Sequence, residues 1–193
     1  MEVFEYTKMK PELDIRQSDK WAKYLGRMGW ESHRTSSGIN IYFHRTFLGT
    51  IIKIQKPLSV SKKDIKEIED FCVKLKPLFI KIEPFIGQEI AVLEECGYVK
   101  SEVALTPPST IYIDLTKSEN ELWESISHSG KYSIKRAQRE GTVTRFYQNP
   151  IKDKMGAYFE MVQVTGKRKH FYVQPMVDFE EKVKIFGKEC HLV

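Results

Sequence analysis

Cysteine is scarce. Cys72, Cys96 and Cys190 are odd in number and lie far apart in the 193 residues. They form no CxxC pair, so neither a zinc knuckle nor a disulfide framework is expected, and reduced, packed thiols are the default. None of the five histidines, His33, His44, His128, His170 and His191, stands at metal-ligand spacing from another His, Cys or clustered carboxylate. No stretch of about 18 uninterrupted apolar residues occurs, so no transmembrane helix is expected. The opening run "MEVFEYTKMK" lacks the basic-then-apolar layout of a signal peptide. A cytoplasmic protein is the resulting expectation. G-x-S-x-G, Walker and G-x-G-x-x-G loops are all missing, which leaves nucleophilic-serine and nucleotide-hydrolysing chemistry unsupported and implies no cofactor.

What is present is a hydrophobic fraction of 41%, enough for one domain or two small ones. The formal charge is +5. Mild basicity permits nucleic acid, an anionic membrane or a phosphorylated substrate as partner, and excludes none.

The periodicity predicts alternating helices and strands. Ser18 caps a helix with Trp21, Tyr24, Leu25 and Met28 on one face and Gly29 as its stop. "INIYFHR" and "FLGTIIKIQ" alternate as strands about a tight turn. "SKKD" is a capping-box variant opening a helix with Ile65, Ile68, Cys72 and Leu75 on one face. "LFIKI" is a strand stopped at Glu83-Pro84, "GQEIAVLEECG" a brief helix, and "YVKSEVAL", "TIYIDL" and "TVTRFY" further strands. "SENE" is a second capping box, followed by a helix over "GKYSIKRAQREG". Asn149-Pro150 starts a helix that leads to Val164. "PMVDFEEKVKIFG" is the last helix, with Met176, Phe179, Val183 and Phe186 inward. This mixture implies an α/β layer structure. The tail "KECHLV" reads as the first half of a strand lacking a partner, which suggests a longer parent polypeptide.

Four places could carry chemistry. In "VTGKRKHFYVQP", a short connection between helices, Lys167, Arg168, Lys169 and His170 crowd against Phe171 and Tyr172. This is either a solvated loop or a seat for an anionic ligand. Glu83, at a strand end before proline, could serve as acid, base or amine-orienting group, or be an ordinary salt-bridged residue. Lys131, Lys135 and Arg139 fall within an arc of about 80° on a helix, with Arg136 beside them. That arc could track a phosphate backbone or simply meet water. Lys23 and Arg27 form a cationic pair on the polar side of the first helix.

"QSDKWAKYLGRMGW", "IKIEPF", "STIYIDLTKSENELWESISHSGKYSIKRAQREGTV" and "TGKRKHF" occur in the order seen in Fem-type peptidoglycan-bridge aminoacyltransferases, the FemABX family. The D-L-T-x-S-x-x-x-L-W passage followed by K-x-x-I-K-R-A-x-x-x-G carries most of the resemblance. It implies a GNAT-like α/β fold, a mixed sheet with flanking helices, usually in two similar domains with a cleft between them. It also implies transfer of an amino acid from aminoacyl-tRNA to the stem-peptide amine of a UDP-linked or lipid-linked muropeptide. Arg168 and Lys23 resemble the family's ligands for the precursor phosphates, with Lys167 strengthening the local field. Glu83 stands where the family has an acidic residue near the acceptor amine. Lys131, Lys135 and Arg139 become candidate tRNA contacts.

On this resemblance residues 1–187 form the first GNAT-like domain and residues 188–193 the opening strand of a second. That second domain, or a dimer partner, would complete the cleft, and the chain alone is expected to be inactive or incomplete. Peripheral association with the inner membrane surface fits a lipid-linked acceptor. Two readings from other classes stand beside this one. One is a GNAT-like enzyme using another acyl donor, although the Q/R-x-x-G-x-G/A pyrophosphate loop of acyl-CoA enzymes is missing. The other is a non-catalytic basic module for RNA or a membrane surface.

Overall fold

The computed structural model describes residues 13–85, 87–106 and 113–193. Four strands, β1 (Glu31–Arg34), β2 (Asn40–Thr46), β3 (Gly49–Gln55) and β4 (Pro77–Glu83), form a sheet in sequence order. The first three pair antiparallel, whereas β3 and β4 run parallel, so the sheet is mixed. Parallel pairing needs a crossover. Helix α2 (Lys62–Cys72) and a 3-10 turn (Val73–Leu75) supply it.

Alternation along β2 and β3 builds two layers. Ile41, Phe43, Ile52 and Ile54 point to one face and pack with Ile65, Ile68 and Cys72 of α2. Each fully buried isoleucine contributes about 1.5–3 kcal/mol. Tyr42 points to the other face, against Tyr24 and Leu25 of α1 (Asp19–Arg27), and its hydroxyl donates to the Arg16 carbonyl at 2.6 Å. Buried Gln17 ties this layer together. Its Nε2 donates to the Gln55 carbonyl at 2.6 Å, and its Oε1 accepts from the Asn40 amide at 2.8 Å.

Three of the predicted helix starts hold. Ser18 accepts from the Trp21 amide, and both capping boxes are closed in both directions, Ser61 with Asp64 and Ser118 with Glu121. Caps of this kind are worth about 1 kcal/mol each. After β4 come α3 (Ala91–Glu95), α4 (Glu119–Ser125), α5 (His128–Arg139), β5 (Tyr147–Gln148), α6 (Lys152–Lys169), α7 (Met176–Phe186) and β6 (His191–Leu192). Helix α7 packs against both α1 and α6.

Several expectations fail. Glu31–Arg34 is a strand that carried no apolar alternation, because it is a largely exposed edge. Residues 98–105 are irregular, not a strand. Side chains hold them instead of a backbone ladder: Lys81 Nζ donates to Ser101 Oγ at 3.1 Å and to the Val103 carbonyl. "TIYIDL" lies largely outside the described residues, and Ile113–Leu115 are not strand. Of "TVTRFY" only Tyr147 enters a strand, since β6 offers a ladder of two residues. The Pro150 helix starts later, with Ile151 as its cap, because Asn149 takes a left-handed φ of 49° and donates its amide to the Cys190 carbonyl at 2.8 Å. In α7, Phe179 meets Tyr158 and Phe159 and Phe186 meets Trp21, yet no residue of that helix is fully buried. The tail was expected to leave its strand without a partner. His191 and Leu192 pair antiparallel with Gln148 and Tyr147.

Candidate functional site

In open α/β sheets ligands settle at the carboxyl ends of parallel strands. Strands β3 and β4 finish together, with Gln55 opposite Glu83. Pro84 ends β4 there because it has no amide hydrogen to donate. Just past β3, Lys56 takes a left-handed φ of 52°, and its amide donates to the Glu83 carbonyl at 2.8 Å. Its ammonium stands 3.4 Å from Glu83 Oε1, and both side chains are only 15% exposed. Thr106 donates its hydroxyl to the same oxygen.

Glu83 Oε2 is different. It is buried and has no hydrogen-bond partner among the described residues, and the same is true of Gln55 Oε1. Residues opposite each other in register share a face, about 4.8 Å apart at the backbone. A buried acceptor without a donor costs about 1–3 kcal/mol. Two such acceptors on paired residues of neighbouring strands fit a ligand bearing several N–H donors, as an amine does. Glu83 also lines a cavity of about 320 Å³, walled by Ile80, Ile82, Leu93, Tyr98 and Leu105. Burial, with Glu69 nearby, pushes the Tyr98 phenol well above its ordinary range, so it stays protonated.

Sequence reasoning singled out Glu83 but missed Lys56, Gln55 and Thr106. Only the "QKP" stop after β3 marked that end of the strand. A partner in the neighbouring parallel strand leaves no local pattern.

The other predicted residues lie elsewhere. Lys23 is exposed on α1, and Lys167 and Arg168 are exposed in the last turn of α6. No hydrogen bond or ion pair among the described residues joins them to one another or to Glu83. The "VTGKRKHFYVQP" stretch is therefore not a connection for most of its basic run. Lys167, Arg168 and Lys169 close an 18-residue helix, where cations complement the helix dipole. His170, at φ 57°, caps it. Buried Gly166 lets the chain fold back: a Cβ there would stand 2.4 Å from Val173 Cγ2 and 3.2 Å from the Phe171 carbonyl oxygen. A shallow depression beside this turn is lined by Lys167, Phe171 and Tyr172, but not by Arg168.

On α5 the basic arc is partly engaged. Lys131 pairs with Glu124 at 2.9 Å, and Trp123 stacks below Lys131 and Lys135, at 5.8 and 5.9 Å. Arg136 pairs with Glu140 at 2.7 Å. Among the described residues no cluster of three His, Cys, Asp or Glu could hold a metal ion, and no helix is long and apolar enough to cross a membrane.

A mixed sheet with helices on both faces, and an acidic side chain at a parallel strand end, make up an α/β domain. A solved crystal structure of FemX superposes with a TM-score of 0.64 at 20% identity, covering 91% of this chain and 50% of that one. The sequence profile of the FemAB family matches residues 96–193, half of the chain, and the protein belongs to that family. Similar curated proteins are the Lipid II:glycine glycyltransferases of two Staphylococcus epidermidis strains. Each is 23% identical over 208 residues, covering 91% of this chain and 48% of the relative. The chain thus spans about half the length of the curated relatives it matches.

Proposed function

We propose that this chain is the acceptor-binding part of a Fem-type aminoacyltransferase, one that moves an amino acid from aminoacyl-tRNA to the stem-peptide amine of a lipid-linked or UDP-linked peptidoglycan precursor. The observation that carries the reading is Glu83, which lines an apolar cavity and whose buried Oε2 has no partner among the described residues, with Gln55 Oε1 in the same condition on the neighbouring strand. The family membership and the glycyltransferase relatives support the reaction class.

The chemistry asks little of the protein. An aminoacyl ester is already activated. The neutral amine attacks its carbonyl carbon, the C–N bond forms, the ester C–O bond breaks, and the tRNA hydroxyl leaves with a proton. The protein aligns the reactants and stabilises charge. Glu83 would orient the amine, while Lys56 and Thr106 hold its other oxygen. Arg168 and Lys23, with Lys167, would hold the precursor phosphates, and Lys131, Lys135 and Arg139 would meet tRNA. In the same reading residues 1–187 are one GNAT-like domain and residues 188–193 lead into a second, so transfer requires both.

Calorimetric titration of the chain with a UDP-linked muropeptide, an acyl-CoA and uncharged tRNA tests the reading. The muropeptide should bind, and Glu83→Gln should weaken it about tenfold or more, the value of a charge-assisted hydrogen bond. Binding of the acyl-CoA alone would point to a different acyl donor. Binding of tRNA alone would leave an RNA module.

A further inference from the structure

The end of the sheet opposite Glu83 has a different character. The β2–β3 turn carries Phe47, 96% exposed, and Leu48, 69% exposed. These are the two residues that a soluble hairpin turn least needs to be apolar, since turns favour Gly, Asn and Asp. The turn is not alone. The Thr50 amide donates to the Lys76 carbonyl at 3.1 Å, and Thr50 Oγ1 donates to the Leu75 carbonyl at 2.5 Å, which fastens the 3-10 turn before β4 to the hairpin. Leu78 lies so close that a Cβ on Gly49 would stand 2.9 Å from its Cγ. Leu78 and Val73 are themselves exposed.

Two cations belong to the same end. Lys74 and Lys76 are exposed and make no ion pair among the described residues. Arg45, by contrast, is neutralised by Glu31 at 2.8 Å. The end is therefore a convex apolar tip with two free ammonium groups beside it. A convex tip offers no groove for a protein ligand, but it suits a surface that deforms around it. Apolar side chains set among lysines are the composition that enters the headgroup boundary of an anionic bilayer.

We infer that the Phe47–Leu48 hairpin tip, with Val73, Leu78, Lys74 and Lys76, docks this protein on an anionic lipid surface. Glu83 lies six residues beyond Pro77, the first residue of β4, about 20 Å along the strand from this end of the sheet. The candidate site would then stand about 20 Å above the headgroups, facing water. The docking does not depend on the transfer reaction, because a vesicle carries neither donor nor acceptor.

The test is co-sedimentation with vesicles of phosphatidylglycerol and phosphatidylcholine, against vesicles of phosphatidylcholine alone. The chain should bind the anionic vesicles, and added salt should weaken binding. Phe47→Ser with Leu48→Ser should lower the partition coefficient at least tenfold, the value of one or two apolar side chains returned to water. Lys74→Gln with Lys76→Asn should lower it about twenty-fivefold, at roughly fivefold per lysine. All four positions are exposed, so circular dichroism and the melting temperature should stay unchanged and confirm that the variants fold. Absence of wild-type binding overturns the inference, as does equal binding by wild type and both variants. Wild-type self-association that vanishes in the Phe47→Ser, Leu48→Ser variant, without vesicle binding, also overturns it and assigns the tip to a second copy of the chain.

Discussion

The pairing of Lys56 with Glu83 can be tested without any ligand. Their charged atoms are 3.4 Å apart. At an effective dielectric of about 20, Coulomb attraction at that distance is about 5 kcal/mol. Most of it offsets the loss of hydration, because both side chains are largely withdrawn from water. The net effect of removing one partner should fall between exposed and fully buried pairs, about 1–3 kcal/mol. Glu83→Gln keeps the shape and an acceptor for Thr106 but leaves the ammonium facing an amide. Lys56→Met keeps the length and leaves the carboxylate with Thr106 as its remaining partner. Each single change should destabilise by that amount. The double variant should lose less than the sum, with a coupling of about 1–2 kcal/mol. Urea unfolding followed by tryptophan fluorescence provides the four free energies. Additivity to within about 0.3 kcal/mol would mean that the two charges do not sense each other, and the arrangement proposed for the amine site would fall with it.

Three further outcomes are expected. Gly166→Ala should destabilise by about 1–2 kcal/mol despite the better helix propensity of alanine, because its methyl group meets Val173 and the Phe171 carbonyl; a stabilised variant in urea would contradict the fold-back of the α6 terminus. Arg168→Ala and Lys23→Ala should leave the melting temperature unchanged, and each should weaken a UDP-linked muropeptide about tenfold or more in calorimetry. Unchanged affinity in both would return the α6 terminus to a solvated helix end. Hydrogen bonds from the Ser36 hydroxyl and amide hold Glu67 below the usual carboxylate range. Its contribution is therefore complete above the ordinary glutamate value of about 4.3 and is lost as pH falls through the lower folded value. The urea midpoints of wild type and Glu67→Ala should differ at pH 6, and the difference should shrink as pH falls below the ordinary glutamate value of about 4.3.

Features written within a few residues were legible in the sequence. Ser61 with Asp64 and Ser118 with Glu121 bond across three positions, so each box appears in the string as it does in the structure. Glu83 was legible because a proline follows it. Lys56, Gln55 and Thr106 were not, since their relation to Glu83 exists only after β3 and β4 align. The basic run misled in the opposite sense. Lys167, Arg168 and Lys169 look like a loop to composition, yet the carbonyls of a helix end attract such residues. The strand expected at residues 98–105 failed because apolar residues such as Val99 and Val103 face solvent, and alternation alone does not say whether a ladder partner stands alongside.

The parallel junction of β3 and β4 also has a kinetic meaning. The β2–β3 hairpin closes over two residues and can form within about 1–10 μs, and α2 carries its own cap. The β3–β4 seam must wait until residues 56–76 have been brought round as a closed loop, whose entropy is lost before any contact repays it. Glu83 and Lys56 meet only at that late seam. The candidate site is thus assembled by one of the slower steps of folding, and an intermediate can hold the hairpin and α2 without holding the site. The Lys56 amide, bonded to the Glu83 carbonyl, reports on this directly. In pulsed hydrogen exchange during refolding it should gain protection later than the β2–β3 amides, and its protection should mark the moment at which the pocket becomes competent to bind.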